Sequence, residues 1–280
     1  MAYWMTHLRV AEALLRLLPQ DISLPHYYAG AIAPDCGRTE YDENGTPHYL
    51  PGRVVTHWLK KDEALDRYLI DFEGFYHSLM PAAADAEARS FYWGYYIHLV
   101  TDAMWQEQVL RPRRKALADP TEENIRAMRT DLKRADLADY RQHPDYAPLE
   151  VLRGIRDFPN RYLDYYEKDD IETQVHDIPQ RLAREAAADP AESLWLAPEE
   201  RDEFIMFATA KCMQMVRSPI RMVRFLSSTS SFHGSTSYSN RNLSWLVSSL
   251  GASVISSFSS CLRRLWAILV VEARTRLRST

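Results

Sequence analysis

The sequence predicts an all-α protein: a single multi-helix domain over residues 1–217, followed by an irregular extension over 218–280. Three observations carry this. Apolar residues recur at three- and four-residue steps through most of the first 217 positions. Alternating strand-like runs flanked by turn dipeptides are nearly absent. Serine and arginine replace acids after residue 203, so the composition changes along the chain.

Taken in order, Leu8, Ala11, Leu14, Leu15 and Leu18 define a first helix, with Thr6 as its expected N-cap and Pro19 as its stop. Asp21 to Arg53 reads as loop because of its prolines and glycines. Within it Ile32–Gly37, IAPDCG, reads as a fixed turn presenting Asp35. Thr56 is expected to cap a helix carrying Trp58, Leu65, Tyr68, Leu69, Phe72, Phe75 and Tyr76. A long apolar helix is expected from about Asp85 to Leu110, ended by Arg111-Pro112. Thr121 caps a charged helix whose Glu122 and Glu123 sit at its positive end. Further helices are expected near 148–166, 173–187 and 198–217, giving about seven in all.

Charge is divided along the chain. Residues 1–203 hold 24 Lys/Arg and 37 Asp/Glu, whereas 204–280 hold 10 Lys/Arg and the single acid Glu272. An acidic body disfavours general binding of nucleic acid, and none is expected as a partner. The three cysteines, Cys36, Cys212 and Cys261, are too scattered for a disulfide framework or a thiolate zinc site. The N-terminal stretch lacks the layout of a signal peptide, so the expected location is the cytoplasm. In the tail, Trp245–Leu262 is diluted with serine and Leu265–Val271 is short. Neither piece supplies the roughly 20 predominantly apolar residues of a membrane anchor. A disordered basic extension or a shifted reading frame accounts better for the composition.

Nine histidines are present, and the informative ones sit in apolar or turn-restricted settings, where an unpaired polar group is costly. His98 and Asp102 lie four apart in FYWGYYIHLVTDAMW, on one side of a helix, where both could reach one divalent ion. A buried hydrogen-bonded pair is the plainer explanation of those two alone. His7 shares a helix side with Val10, Ala11 and Leu14, and so faces inward. His57 follows Thr56 at an expected helix start, and Asp35 sits between Pro34 and Gly37. Three imidazoles and two carboxylates suit zinc. His176-Asp177 is a weaker candidate, for an HD-type phosphohydrolase, in a polar context before Pro179.

The blocks THLRVAEALL (6–15), GAIAPDCG (30–37), VTHW (55–58) and FYWGYYIHLVTDAMW (91–105) resemble, in that order, the zinc-dependent phospholipase C superfamily. The likeness is to its short cytoplasmic bacterial hydrolases, with the S1/P1-type nucleases as relatives of the same fold. It covers roughly residues 4–110. It implies an all-α fold in which Asp35, His57, His98 and Asp102 hold a central zinc ion. Asp102 would also bridge to a second ion bound by His7.

Two departures from the family pattern stand out. Trp4 is internal, whereas the secreted enzymes use a free N-terminal tryptophan as ligand. Gln108 stands where the family's remaining ion needs a histidine, and no His-x-x-x-Glu follows. One zinc ion is therefore expected, or at most two. The implied activity is hydrolysis of a small phosphoester or lipid head group by zinc-activated water, with Asp35 as general base. A nuclease-like phosphodiesterase and a non-catalytic, zinc-stabilised helical protein are the alternatives. Tyr3, Trp4, Trp58, Trp93, Tyr95, Tyr96 and Trp105 could wall an apolar pocket, or simply pack the core.

Overall fold

The computed structural model describes residues 1–19 and 21–217. The serine-rich extension, with His233 and Cys261, lies outside the described residues.

The helices are α1 (Trp4–Leu14), α2 (Leu24–Ile32), the single turn α3 (Arg53–Thr56), α4 (Phe72–Leu79), α5 (Ala86–Trp105), α6 (Arg111–Ala116), α7 (Glu122–Gln142), α8 (Ala147–Gly154), α9 (Asp170–Ala188) and α10 (Pro198–Arg217). Two small antiparallel hairpins interrupt them. Strand β1 (Arg38–Tyr41) pairs with β2 (Pro47–Leu50), and β3 (Leu59–Asp62) pairs with β4 (Arg67–Ile70). The fold is all-α with these two additions, as the periodicity predicts.

Helix α5 is the central helix of the described residues. It is apolar around most of its circumference, and a helix of that kind must be covered on all sides. From Ser90 to Asp102 every residue is buried. Asp85 starts the helix, its carboxylate accepting the Ala88 N–H at 2.7 Å. Helices α1, α2, α4 and α10 pack around it. Phe204 of α10 meets Trp105 edge to face, their ring centres 5.0 Å apart. Helix α7 is capped by Thr121, which accepts the Asn124 N–H at 3.2 Å.

Helix α1 has no cap of its own at its N-terminus. Asp136 of α7 supplies one. Its carboxylate accepts the N–H groups of Met5 and Thr6 at 2.9 and 2.8 Å, and the Thr6 hydroxyl at 3.0 Å. Thr6 is thus a partner of a cap in space and not the cap that its sequence position suggests. The long-range bond fixes the turn of α1 that carries His7.

Four expectations are corrected. The segment read as loop, 21–53, contains helix α2, because Pro25 sits in its first turn, where a missing N–H costs nothing. Thr56 closes a short turn instead of opening a helix, and the helix that follows starts at Phe72, where Asp71 accepts the Gly74 N–H at 2.9 Å. The intervening 59–70 is the second hairpin. The first hairpin turns at Asn44-Gly45, a dipeptide that favours hairpins, with Gly45 at φ +76°. Arg111-Pro112 does not end the long helix either. A π-helical turn over Gln106–Leu110 lets the chain re-enter a helix with Pro112 in its first turn. Finally, the helix expected over 148–166 stops at Gly154.

Candidate metal centre

The five residues singled out in the sequence converge at the middle of α5. His98 and Asp102 come from α5, and His7 from the second turn of α1. Asp35 ends a short 3₁₀ turn, Ala33–Asp35, after α2, and His57 follows α3. His7, His57, His98 and Asp102 are essentially excluded from solvent, while the side chain of Asp35 is 17 % exposed. The group is therefore closed on four sides and opens at Asp35.

Asp102 is the hub. One of its oxygens, Oδ1, accepts the Ala2 N–H at 2.7 Å and lies 3.4 Å from His7 Nε2. The other, Oδ2, lies 3.6 Å from His57 Nε2 and 3.7 Å from His98 Nε2. Asp35 Oδ1 is 3.5 Å from His57 Nε2. The rings of His7 and His98 stack, centres 3.6 Å apart and planes within 4°.

These contacts have an unusual feature. Both ring nitrogens of His7, the Nε2 atoms of His57 and His98, and Asp102 Oδ2 are buried without a hydrogen-bond partner. Buried polar atoms are normally paired, because each unpaired one costs on the order of 1–3 kcal/mol. Five such atoms within one group of side chains would be costly in a purely structural cluster. Zinc bonds of about 2.0–2.2 Å in tetrahedral geometry place neighbouring ligand atoms roughly 3.3–3.6 Å apart. Three of the contacts lie near that edge: Asp35 to His57 at 3.5 Å, His57 to Asp102 at 3.6 Å and His98 to Asp102 at 3.7 Å. Among the described residues, the side-chain groups able to hold a metal ion are His7–Asp35–His98 and His57–His98–Asp102. The donor set fits zinc.

The outer nitrogens of two rings are already spoken for. His98 Nδ1 is 2.8 Å from the carbonyl of Ala31, which can only accept, so the Nδ1 carries the proton and Nε2 presents a lone pair inward. His57 Nδ1 is 2.8 Å from Thr56 Oγ1, which can accept in the same way. Burial, reinforced by the neighbouring His7, pushes His98 down to about 3, so its ring is neutral, the form that binds metal. Burial would raise Asp35, but its hydrogen-bonding contact with His57 outweighs that and brings it down to about 2. Asp102 is likewise held well below the usual carboxylate range. Its burial is outweighed by the contact with His7 and by the nearby amino terminus.

Tyrosine hydroxyls fix the flanking backbone. Tyr95 donates to the Thr56 carbonyl, Tyr166 to the Ala33 carbonyl at 2.5 Å, and Tyr49 to the Asp35 carbonyl at 2.6 Å. Trp58, next to His57, takes φ +49° and is held there edge to face on Phe75. A conservative change tests the outer shell. Thr56→Val keeps the volume but removes the acceptor for His57, and is expected to weaken zinc binding roughly 10–100-fold with the fold intact. Zinc affinity measured against a competing chelator, with circular dichroism as a folding control, checks this.

A cavity of about 370 Å³ lies against Asp35. Of the seven rings expected as a wall, Tyr3, Trp4 and Trp105 line it. Tyr95, Tyr96, Trp93 and Trp58 belong to the core packing around Phe75 and Tyr76. Tyr49 also lines the cavity, brought there by the first hairpin, which leaves no alternating signal in the sequence. His176 and Asp177 lie on the surface of α9, paired with Glu172 and with Arg181 and Arg184. They do not join the cluster. Gln108 is exposed on the π-helical turn, away from the centre.

Residues 6–105 match the family model for zinc-dependent phospholipase C. The segment that carries the site is of that family, and the resemblance of the four blocks holds over it. The match begins at α1 and ends with α5, so it contains His7, Asp35, His57, His98 and Asp102. Zinc is the cofactor that a phospholipase C of this family implies, and a phosphoester its substrate class. No curated protein and no solved structure matches the chain. No helix among the described residues is long and apolar enough to cross a membrane.

Proposed function

We propose that the chain is a zinc-dependent hydrolase of phosphoesters. Asp35, His57, His98 and Asp102 would hold the central ion, and His7 with Asp102 would offer a second position. The reading is carried by the buried, unpartnered Nε2 atoms of His57 and His98 facing Asp102 Oδ2 at zinc-ligand spacing. Bound zinc supplies an acidified water and neutralises charge on a phosphoryl oxygen. Asp35 is the one member of the set open to the cavity, so its outer oxygen can take the proton released when water attacks. The buried rings exclude bulk water, and Asp102 orients three imidazoles at once. A cytoplasmic location and a catalytic unit spanning 1–217, with 218–280 as an appended basic segment, belong to the same proposal.

The test begins with metal analysis of the purified protein, which should give one zinc per chain, or two if the His7 position fills. Hydrolysis of bis-p-nitrophenyl phosphate should disappear with a chelator and return with zinc, and residues 1–217 alone should behave alike. Absence of zinc rules out the metalloenzyme reading. Bound zinc without turnover of any phosphoester leaves the metal a structural role.

A further inference from the structure

The cavity beside Asp35 is cationic, although the body of the protein is acidic. Its lining includes Arg53, Arg129, Lys133 and Arg181. Three carboxylates also line it, and each has other partners. Asp35 belongs to the metal centre, Asp136 caps α1, and Glu185 pairs with Lys133 at 2.7 Å. Arg181 lies over the Trp4 ring at 4.4 Å and reaches Asp177 at 3.6 Å, and its Nε is buried without a hydrogen-bond partner. The exposed Arg53 and Arg129 have no acidic partner among the ion pairs and hydrogen bonds of the described residues. Both act on the Tyr3 side chain inside the cavity, opposing the upward shift that burial imposes on its hydroxyl.

At the metal centre, Asp35 and Asp102 offset the charge of one zinc ion. With Arg181 paired to Asp177, Arg53 and Arg129 therefore exceed a singly charged phosphodiester held there by one positive charge. We infer that the substrate of this site carries a second anionic group beside its scissile phosphate, bound by Arg53 and Arg129, and that a cationic head group such as choline is disfavoured. This rests on the hydrolase reading above for the place of the scissile phosphate. Guanidinium forks suit phosphate or carboxylate oxygens, and a like charge placed among them loses its hydration without compensation.

Calorimetric titration of the zinc-loaded full-length protein with inositol 1,4-bisphosphate and with phosphocholine tests this directly. Both are phosphomonoesters, one bearing a second anion and the other a cation. The bisphosphate is expected to bind at least about tenfold more tightly, a difference of about 1.4 kcal/mol. In the double variant Arg53→Gln, Arg129→Gln that ratio should fall below about threefold. Zinc content and circular dichroism verify that the variant is folded and loaded. Equal or tighter binding of phosphocholine by the unmodified protein overturns the inference, as does a folded double variant that keeps the original ratio. Turnover of bis-p-nitrophenyl phosphate is read on the same samples. Its absence counts against the hydrolase reading, while the affinity ratio still decides this one.

Discussion

Asp102→Asn is expected to weaken zinc binding by a few hundredfold and to lower phosphoester turnover at least as much. The carboxylate faces His7, His57 and His98 at 3.4–3.7 Å, so it touches all three candidate imidazole ligands. The Ala2 N–H already holds Oδ1, so the amide of the variant would keep its oxygen there. Its NH₂ would then point at the lone pairs of His57 and His98. It can donate to them in place of the metal, which removes one negative charge from the cluster and pairs two of its lone pairs without zinc. Four-ligand zinc sites bind with about 10–16 kcal/mol, so one ligand accounts for roughly 3–4 kcal/mol, or on the order of a few hundredfold in affinity. Activity should fall further, because the remaining ligands lose their common anchor. Competition with a chelator and a p-nitrophenol release assay measure both. A variant whose zinc affinity and turnover both stay within tenfold of the parent would show that Asp102 is not a ligand.

Gly94→Ala is expected to unfold the domain or to cost more than about 4 kcal/mol, beyond the usual range for overpacking. Helices α2 and α5 approach backbone to backbone. A Cβ on Gly94 would stand 2.0 Å from the Tyr27 carbonyl oxygen and 2.6 Å from the Ala31 nitrogen. A Cβ on Gly30, from the other side, would stand 2.1 Å from the Phe91 carbonyl oxygen. Backbone atoms cannot rotate aside as a side chain can, so the helices must separate. That movement also withdraws the Ala31 carbonyl from His98 Nδ1 and releases the ring that faces the metal. The control is Gly154→Ala, where the new methyl meets nothing within 4 Å and stability should change by no more than about 1 kcal/mol. Denaturant midpoints of the two variants give the comparison. A Gly94→Ala protein as stable as the control would contradict the close packing.

The two glycines show where reading the sequence stops. In the chain, Gly30 and Gly94 are punctuation in a loop and in a helix. Only the packing reveals that each is small because the other helix needs the space. The same packing explains why α2 escapes detection: Pro25 and Gly30 are breakers by local rules, yet here one opens the helix and the other admits α5. The hairpins leave little trace in the sequence for a related reason. Their strands are four residues long and largely exposed, so they carry little alternation, and Asn44-Gly45 alone marks the first turn.

Within the sequence itself lay the residue types and their local placement. The i, i+4 pair His98 and Asp102 on an apolar helix, the inward side of α1 that bears His7, and the turn around Asp35 follow from periodicity and from the cost of burying polar groups. These are short-range properties, set by bonds and neighbours along the chain. The tertiary structure alone decided that five side chains drawn from four separated segments meet around Asp102 with their inner nitrogens unpaired. It likewise decided that Arg53, Arg129 and Arg181 gather at one cavity on an acidic body. Those facts depend on how the helices are stacked, and stacking follows from shape complementarity between distant surfaces, which the spacing of residues along the chain does not encode.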